Sequence, residues 1–300
     1  MERRQTIGEV HQTEAGFPFL LRSIGGAPDR LFYRGTFPAP SLPLLAIVGT
    51  RKATRDGVLL ARHTSRALAE RGFGIVSGLA FGIDAAAHEG ALDAHGKTFA
   101  VLANGLDAVY PSHNEPLAVR IIEVEGCLLS EYPPGTPALP HQFLERNRIV
   151  SGLAIATIVI EAPIHSGALV TARLAAENGR DVFVFPGPAG HAHYAGSHHL
   201  IRTGARLVSS LADILEDLQT DLVVKQMPIP VSPTPLRALT QDEEKICGAL
   251  RKSVSGCTVD ELVALTGQEA WVINQKLTPL ILEGFIEEKA GGIFSITTTL

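Results

Sequence analysis

Basic charge is in short supply in this chain. Its 26 lysines and arginines are outnumbered by 31 aspartates and glutamates, for a formal net charge of −5. That excludes a protein that grips polyanions through charge spread over its whole surface, so a nucleic-acid contact has to be a local patch. Cysteine is scarce too. Cys127, Cys247 and Cys257 are an odd set with no CxxC spacing, which excludes a disulfide framework and points to a reducing compartment. Aromatic residues make up 6%, too few for an aromatic-rich β-sandwich. No apolar run follows the opening Met-Glu-Arg-Arg, so no signal peptide is expected. No uninterrupted apolar stretch reaches the ~18 residues of a membrane span. The reading is a cytoplasmic protein with no membrane partner. The G-x-S-x-G elbow and the G-x-x-x-x-G-K-[ST] loop are both missing, which removes two common catalytic frameworks.

What is present is a regular alternation. Hydrophobic residues make up 45% of the chain, ample for a core. Residues 1–40 carry prolines at 18, 28, 38 and 40 and read as an irregular lead-in with one short helix. From residue 44, short apolar runs at 44–48, 74–76, 98–102, 127–130, 156–160, 181–185 and 206–208 alternate with helical stretches at about 56–70, 82–95, 114–125, 141–152, 167–178 and 211–218. That alternation predicts an α/β domain over 41–218, with a parallel sheet covered on both faces. Residues 219–239 read as a stiff linker, because 227–235 holds four prolines in nine residues. Beyond it, Thr240 and Thr258 each stand three residues before a glutamate, Glu243 and Glu261, as N-caps do. Gln268 begins a third helix carrying Trp271, Ile273, Leu277, Leu280 and Ile281, and a hairpin is expected around Gly291-Gly292. Three helices and a hairpin over 240–300 make a winged-helix pattern. Its only cations are Lys245, Arg251, Lys252, Lys276 and Lys289, which favours a protein contact over a duplex-DNA reader.

Ligands of an open α/β sheet bind outside the carboxyl ends of its strands, and three turns there could hold an anion. Ile47-Val-Gly-Thr-Arg-Lys-Ala-Thr54 runs from a strand through Gly49, Thr50 and Arg51 into a helix. Either it is a phosphate site, with a helix start and a bidentate cation, or it is a polar connection. Val76-Ser-Gly-Leu-Ala-Phe-Gly-Ile-Asp84 offers Ser77 and Gly78, but its G-x-x-x-G spacing and the missing acid on the next strand argue against a dinucleotide cofactor. Ile164-His-Ser-Gly-Ala-Leu-Val-Thr171 places Ser166 and Gly167 at a third helix start. Each such start leaves backbone donors in want of a partner. In Phe143-Leu-Glu-Arg-Asn-Arg148, Phe143 shares a helix face with Arg146, while Arg146 and Arg148 point apart. These residues fit either base stacking with phosphate contact or a buried ion pair beside a core phenylalanine. His191, His193, His198 and His199 lack the framing of a metal site and read as a solvated loop. Asp84, His88, Asp107, Glu131 and Glu161 are candidate acids or bases, but nothing in the sequence pairs them. No cofactor is expected.

Taken together, these segments resemble the DprA/Smf family, the DNA-processing proteins of natural transformation. The resemblance rests on Ala46-Ile-Val-Gly-Thr-Arg51, Ser77-Gly-Leu-Ala-Phe-Gly-Ile-Asp84, Val101-Leu-Ala-Asn-Gly-Leu-Asp107 with Tyr110-Pro111, Leu129-Ser-Glu-Tyr132, Arg146-Asn-Arg-Ile-Val-Ser-Gly-Leu153, Ser166-Gly-Ala-Leu-Val-Thr-Ala172, Phe185-Pro-Gly187 and Leu200-Ile-Arg-Thr-Gly-Ala205, in order over roughly 17–218. It implies an extended Rossmann fold that binds single-stranded DNA, dimerises, and helps load RecA; it implies binding rather than catalysis. The implied pocket comprises Gly49, Thr50, Arg51, Ser77, Gly78, Ser166, Gly167, Ala168 and Thr171, with Phe143, Arg146 and Arg148 at its rim. The chain departs from the family pattern in lacking its N-terminal helical module, in Leu144 where proline is usual, in His141-Gln142 where a lysine often lies nearby, and in His198 where asparagine is usual. The competing reading is a nucleotide or nucleoside-phosphate hydrolase on the same fold, although the Pro-Gly-Gly-x-Gly-Thr-x-x-Glu motif of such enzymes is absent.

Overall fold

The computed structural model describes residues 6–225, 239–253, 256–282, 285–289 and 293–296. The chain forms two compact units, Met1–Asp221 and Leu222–Leu300. The proline-rich stretch 227–235 and the Gly291-Gly292 turn lie outside the described residues.

In the first unit the elements are, in chain order, β1 (Ile7–His11), α1 (Phe19–Arg22), β2 (Arg30–Gly35), β3 (Leu44–Val48), α2 (Arg55–Ala69), β4 (Gly74–Ser77), α3 (Ile83–Asp93), β5 (Thr98–Val101), α4 (Glu115–Glu123), β6 (Cys127–Ser130), α5 (Pro140–Leu153), β7 (Ala156–Val159), α6 (Gly167–Glu177), β8 (Asp181–Val184), α7 (Ala195–Arg202) and β9 (Arg206–Leu207); α8 (Leu211–Lys225) follows in the chain. Nine strands make one sheet in the order β1-β2-β6-β5-β4-β3-β7-β8-β9. From β3 to β9 all neighbours are parallel. The chain winds outward from β3 through β6, then returns to lay β7 on the other side of β3, with Leu45 opposite Ala156 and Val48 opposite Val159. The strand order therefore reverses between β3 and β7. At such a switch the two following helices leave to opposite faces and a crevice opens at the strand ends.

β3 shows how the core is divided. All five of its residues are buried, and their side chains alternate between faces. Leu44, Ala46 and Val48 join Ile149 and Val150 of α5 and Ala168 and Ala172 of α6. Leu45 and Ile47 join Ala61 and Leu68 of α2 and Ile83 and Ala87 of α3. No described helix is long and apolar enough to cross a membrane.

The lead-in is more regular than expected. Besides α1, it contributes β1 and β2, with β2 antiparallel to both β1 and β6. These strands escape a reading by apolar runs because they lie at the sheet's margin, with β1 as its edge strand, and are only partly buried, so that polar residues such as Glu9, Arg30 and Arg34 are tolerated. The aromatic pair Phe32-Tyr33 is the signal that could have marked β2.

The second unit contains α9 (Gln241–Lys252), α10 (Val259–Thr266), α11 (Ala270–Leu282) and the antiparallel pair β10 (Ile286–Lys289) and β11 (Ile293–Ile296). Ile246, Leu250, Leu262, Ile273, Leu277 and Phe294 form its core. Both expected capping boxes form: the Thr240 N–H donates to Glu243 at 2.9 Å and the Thr258 N–H to Glu261 at 2.8 Å. Trp271, by contrast, is 66% exposed and stands outside that core.

One core residue couples stability to pH. His88 on α3 is fully buried, with Nδ1 2.7 Å from Thr98 Oγ1. Thr98 gives its own proton to the Ile75 carbonyl, so the imidazole Nδ1–H is the donor to Thr98. Nε2 has no partner among the described residues. Burial, assisted by the Arg146 charge, pushes His88 down to about 3. The unfolded chain takes up this proton near pH ~6.5, so the stabilisation present above that pH is lost as pH falls toward 3, by at most about 1.4 kcal/mol per unit. Denaturant midpoints at neutral and at mildly acidic pH should fall further in the wild type than in His88→Leu; equal falls would refute this role.

Candidate functional site

The turns after β3, β4 and β7 converge at the switch point, with α5 beside them. Between them lies a cleft of about 370 Å³. Of the residues singled out in the sequence, Gly49, Thr50, Arg51, Gly78, Phe143, Arg146, Ser166, Gly167, Ala168 and Thr171 line it. Ser77 does not: it is buried, and its hydroxyl donates to the Ile47 carbonyl at 2.6 Å, tying β4 to β3. Nor does Arg148, whose Nη2 pairs with Glu131 at 2.5 Å. Lys52, Asn147 and His165 also line the cleft. Lys52 and His165 sit within turns already recognised, and Asn147 lies between the two arginines of α5, so their neighbours were the available signal.

The three anion-ready turns are not equivalent, because the protein answers two of them itself. At the start of α2, the Glu161 carboxylate accepts from the Thr54 N–H at 3.2 Å and the Thr54 hydroxyl at 2.7 Å. Glu161 is fully buried and is also 2.5 Å from His193 Nδ1. One of the histidines assigned to a solvated loop is thus tied to a buried carboxylate, while its side chain stays partly exposed. At the start of α3, Asp84 Oδ2 accepts from the Gly78 N–H at 3.1 Å and the Ala80 N–H at 3.4 Å. Of the three, α6 presents to the cleft a start that no described carboxylate occupies. Ser166 caps it by accepting from the Ala168 N–H at 3.3 Å. A Cβ placed on Gly167 would meet nothing closer than Asn147 Nδ2 at 4.0 Å, so this positive helix end is open to an anion.

Two glycines serve a purpose other than ligand approach. A Cβ on Gly49 would lie 2.5 Å from Ile83 Cγ1, and one on Gly78 would lie 2.5 Å from Arg146 Nη2. The missing side chains make room for α3 and for the Arg146 guanidinium. Arg146, expected at the rim, lies in the floor of the cleft, only 4% exposed. Its Nη1 donates to the carbonyls of Gly78, at 2.7 Å, and of Val101. Burial lowers Arg146 to about 10, against the pull of Asp84 in the other direction. Burial likewise raises Asp84, opposed by Arg146. Both of the expected α5 arginines thus have internal partners.

The cations left to a ligand are Arg51 and Lys52. Both are exposed and neither forms an ion pair among the described residues. The Arg51 guanidinium lies over the Phe143 ring at 4.9 Å from its centroid, a cation–π contact that holds the group while leaving its N–H donors available. Phe143 in turn packs on Tyr110 at 5.5 Å between centroids. The cleft therefore combines a helix start, two solvent-facing cations and an aromatic wall, which suits a phosphate bearing a flat, stackable group.

Compared with known proteins, residues 9–219 match the family model of DNA recombination-mediator protein A. The chain is 44% identical over 206 residues to protein Smf of Escherichia coli, an alignment covering 69% of this chain and 55% of that protein; it thus spans about half the length of that relative. It is 43% identical over 203 residues to DNA processing protein DprA of Streptococcus pneumoniae, covering 68% and 71%. The X-ray structure of the Streptococcus pneumoniae protein superposes with a TM-score of 0.66, covering 72% of this chain and 75% of that one. DNA processing protein A from Helicobacter pylori, 29% identical and solved for its single-stranded-DNA binding mode, superposes at 0.65 over 74% of this chain and 99% of that one.

The packing of Arg146 against Gly78 makes the floor testable. Gly78→Ala should cost about 1–3 kcal/mol by overpacking. Arg146→Ala should cost about 3–5 kcal/mol by leaving Asp84 buried without its counter-charge. Because both act through the same guanidinium, the double variant should cost less than their sum in denaturant unfolding; strict additivity would show that the two do not share a site.

Proposed function

The chain belongs to the DNA recombination-mediator protein A family, and from that premise we propose that it binds single-stranded DNA in the cleft at the β3–β7 switch, without turning the DNA over. The observation that carries this reading is the convergence of the open α6 start with Arg51, Lys52 and the Phe143 ring in a chain whose net charge is −5. A phosphate takes the helix start and the cations, and a base takes the ring. Lack of turnover is supported by the use already made of the nearby acids. Asp84 lines the cleft, but its Oδ2 already holds the Gly78 and Ala80 amides; Glu161, outside the cleft lining, holds Thr54 and His193, so both carboxylates are engaged by the fold itself. This favours binding over the hydrolase reading.

The same proposal places the protein in the cytoplasm, protecting incoming DNA during natural transformation and passing it to RecA. The family's description as a recombination mediator supports that hand-over. A homodimer is supported by a groove of about 620 Å³ along α6 and α7 next to the edge strand β9, where Leu207 is 54% exposed. For the second unit a protein contact is supported by its tied cations, with Lys276 3.9 Å from Glu243 and Lys245 3.7 Å from Asp242.

Fluorescence anisotropy with labelled oligonucleotides tests the cleft. Arg51→Ala should weaken binding to all sequences alike, and its plot of log affinity against log salt should be shallower by about 0.7. Equal affinities for variant and wild type at low salt would sink the proposal, and release of nucleotide products from the DNA by the wild type would overturn its non-catalytic part.

A further inference from the structure

Beside the cleft, the edge of the sheet carries more aromatic surface than one nucleotide needs. Phe81, in the turn between β4 and α3, is 45% exposed, and its ring centroid lies 5.7 Å from that of His113, with the planes inclined by 44°. Tyr110 is 50% exposed. A small hollow lined by Arg51, Ala80, Phe81, Tyr110 and Phe143 runs on from the cleft toward this pair. Single exposed aromatics are ordinary on protein surfaces. Here, however, Phe143, Tyr110 and Phe81 share one hollow with Arg51, and His113 packs on Phe81.

The Phe81 ring is exposed on a backbone that is held. Leu79, two residues earlier, adopts φ 55°, a left-handed conformation that a bulky side chain adopts only at a cost. It is kept there by burial of its side chain and by Asn114, whose Nδ2 donates to the Leu79 carbonyl at 2.8 Å. That bond also ties the short turn bearing His113 to the turn bearing Phe81. On the other side, Asp84 accepts the Ala80 N–H. A ring fixed in this way and left half in water is preorganised for a flat partner.

We propose that Phe81 and His113 form a second base-stacking platform, which takes the base of the nucleotide adjoining the one whose phosphate sits in the cleft. This rests on the single-strand reading above and extends its footprint by one base along the β4–β5 side of the sheet edge. Stacking on a ring tolerates every base, so the platform adds affinity without sequence preference.

The test uses the full chain and thymidine oligonucleotides of increasing length, with and without one abasic site. Phe81→Ala should bind the shortest oligonucleotide as the wild type does and longer ones about fivefold or more weakly. His113→Ala should show the same length dependence, and an abasic site at the adjoining nucleotide should abolish the difference. Trp271 is the chain's one tryptophan, so Phe81→Trp in a Trp271→Phe background gives a direct readout: thymidine oligonucleotides should quench its indole emission and the abasic version should not. If Phe81→Ala binds every length as the wild type does while Arg51→Ala weakens all of them, the platform is wrong and the cleft stands. If Arg51→Ala also binds normally, both fall. A loss that is equal at every length would likewise overturn the assignment to the adjoining base.

Discussion

A guanidinium sealed from water must find acceptors and a counter-charge inside the fold, and the floor of the cleft is built around that need. Arg146 gains the carbonyls of Gly78 and Val101, which close the ends of β4 and β5, and lies within the field of Asp84. Asp84 in turn accepts the amides of the same Gly78 peptide region. The arrangement binds α5, the β4–α3 turn and the end of β5 into one piece, because removing either charge strands the other in a low-dielectric interior. Gly78 follows from it, since only a residue without a Cβ leaves room for the guanidinium.

A second consequence concerns where an outside anion can go. Helix starts at a sheet edge all attract negative charge, and here two of them are already occupied. Glu161 sits at α2 and Asp84 at α3, which leaves α6 as the start open to the cleft. The placement of internal carboxylates thus selects one of three otherwise similar turns. It also explains how a chain of net charge −5 presents a cationic site: acids are consumed beneath the cleft, while Arg51 and Lys52 stay at its surface. Local arrangement, rather than overall balance, sets the potential that a ligand meets.

Much of this was legible in the residues. Leu44–Val48 and the other apolar runs mark strands because a sheet covered on both faces admits few polar side chains. Thr258 and Glu261 mark a helix start because capping is a local bond between residues three apart. The turns at Gly49, Gly78 and Gly167 were recognised for the same reason, since a strand, a small residue and a helix follow directly in the chain. The lead-in strands β1 and β2 were not, because β1 is the edge strand and rests on β2 alone, while β2 joins the sheet through β6, about a hundred residues away, and both are only partly buried.

What the sequence by itself determined is the strand–helix alternation from residue 44, the three turns at Gly49, Gly78 and Gly167 and the identity of the residues in them, all properties of local pattern and period. What only the tertiary structure decided is what each of those residues does there. Ser77 and Arg148 lie away from the cleft, Arg146 lies beneath it, and His193 reaches Glu161 across 32 positions of chain. Partnerships of this kind depend on which strands become neighbours and which groups lose water together. Those are long-range facts, and no spacing along the chain encodes them.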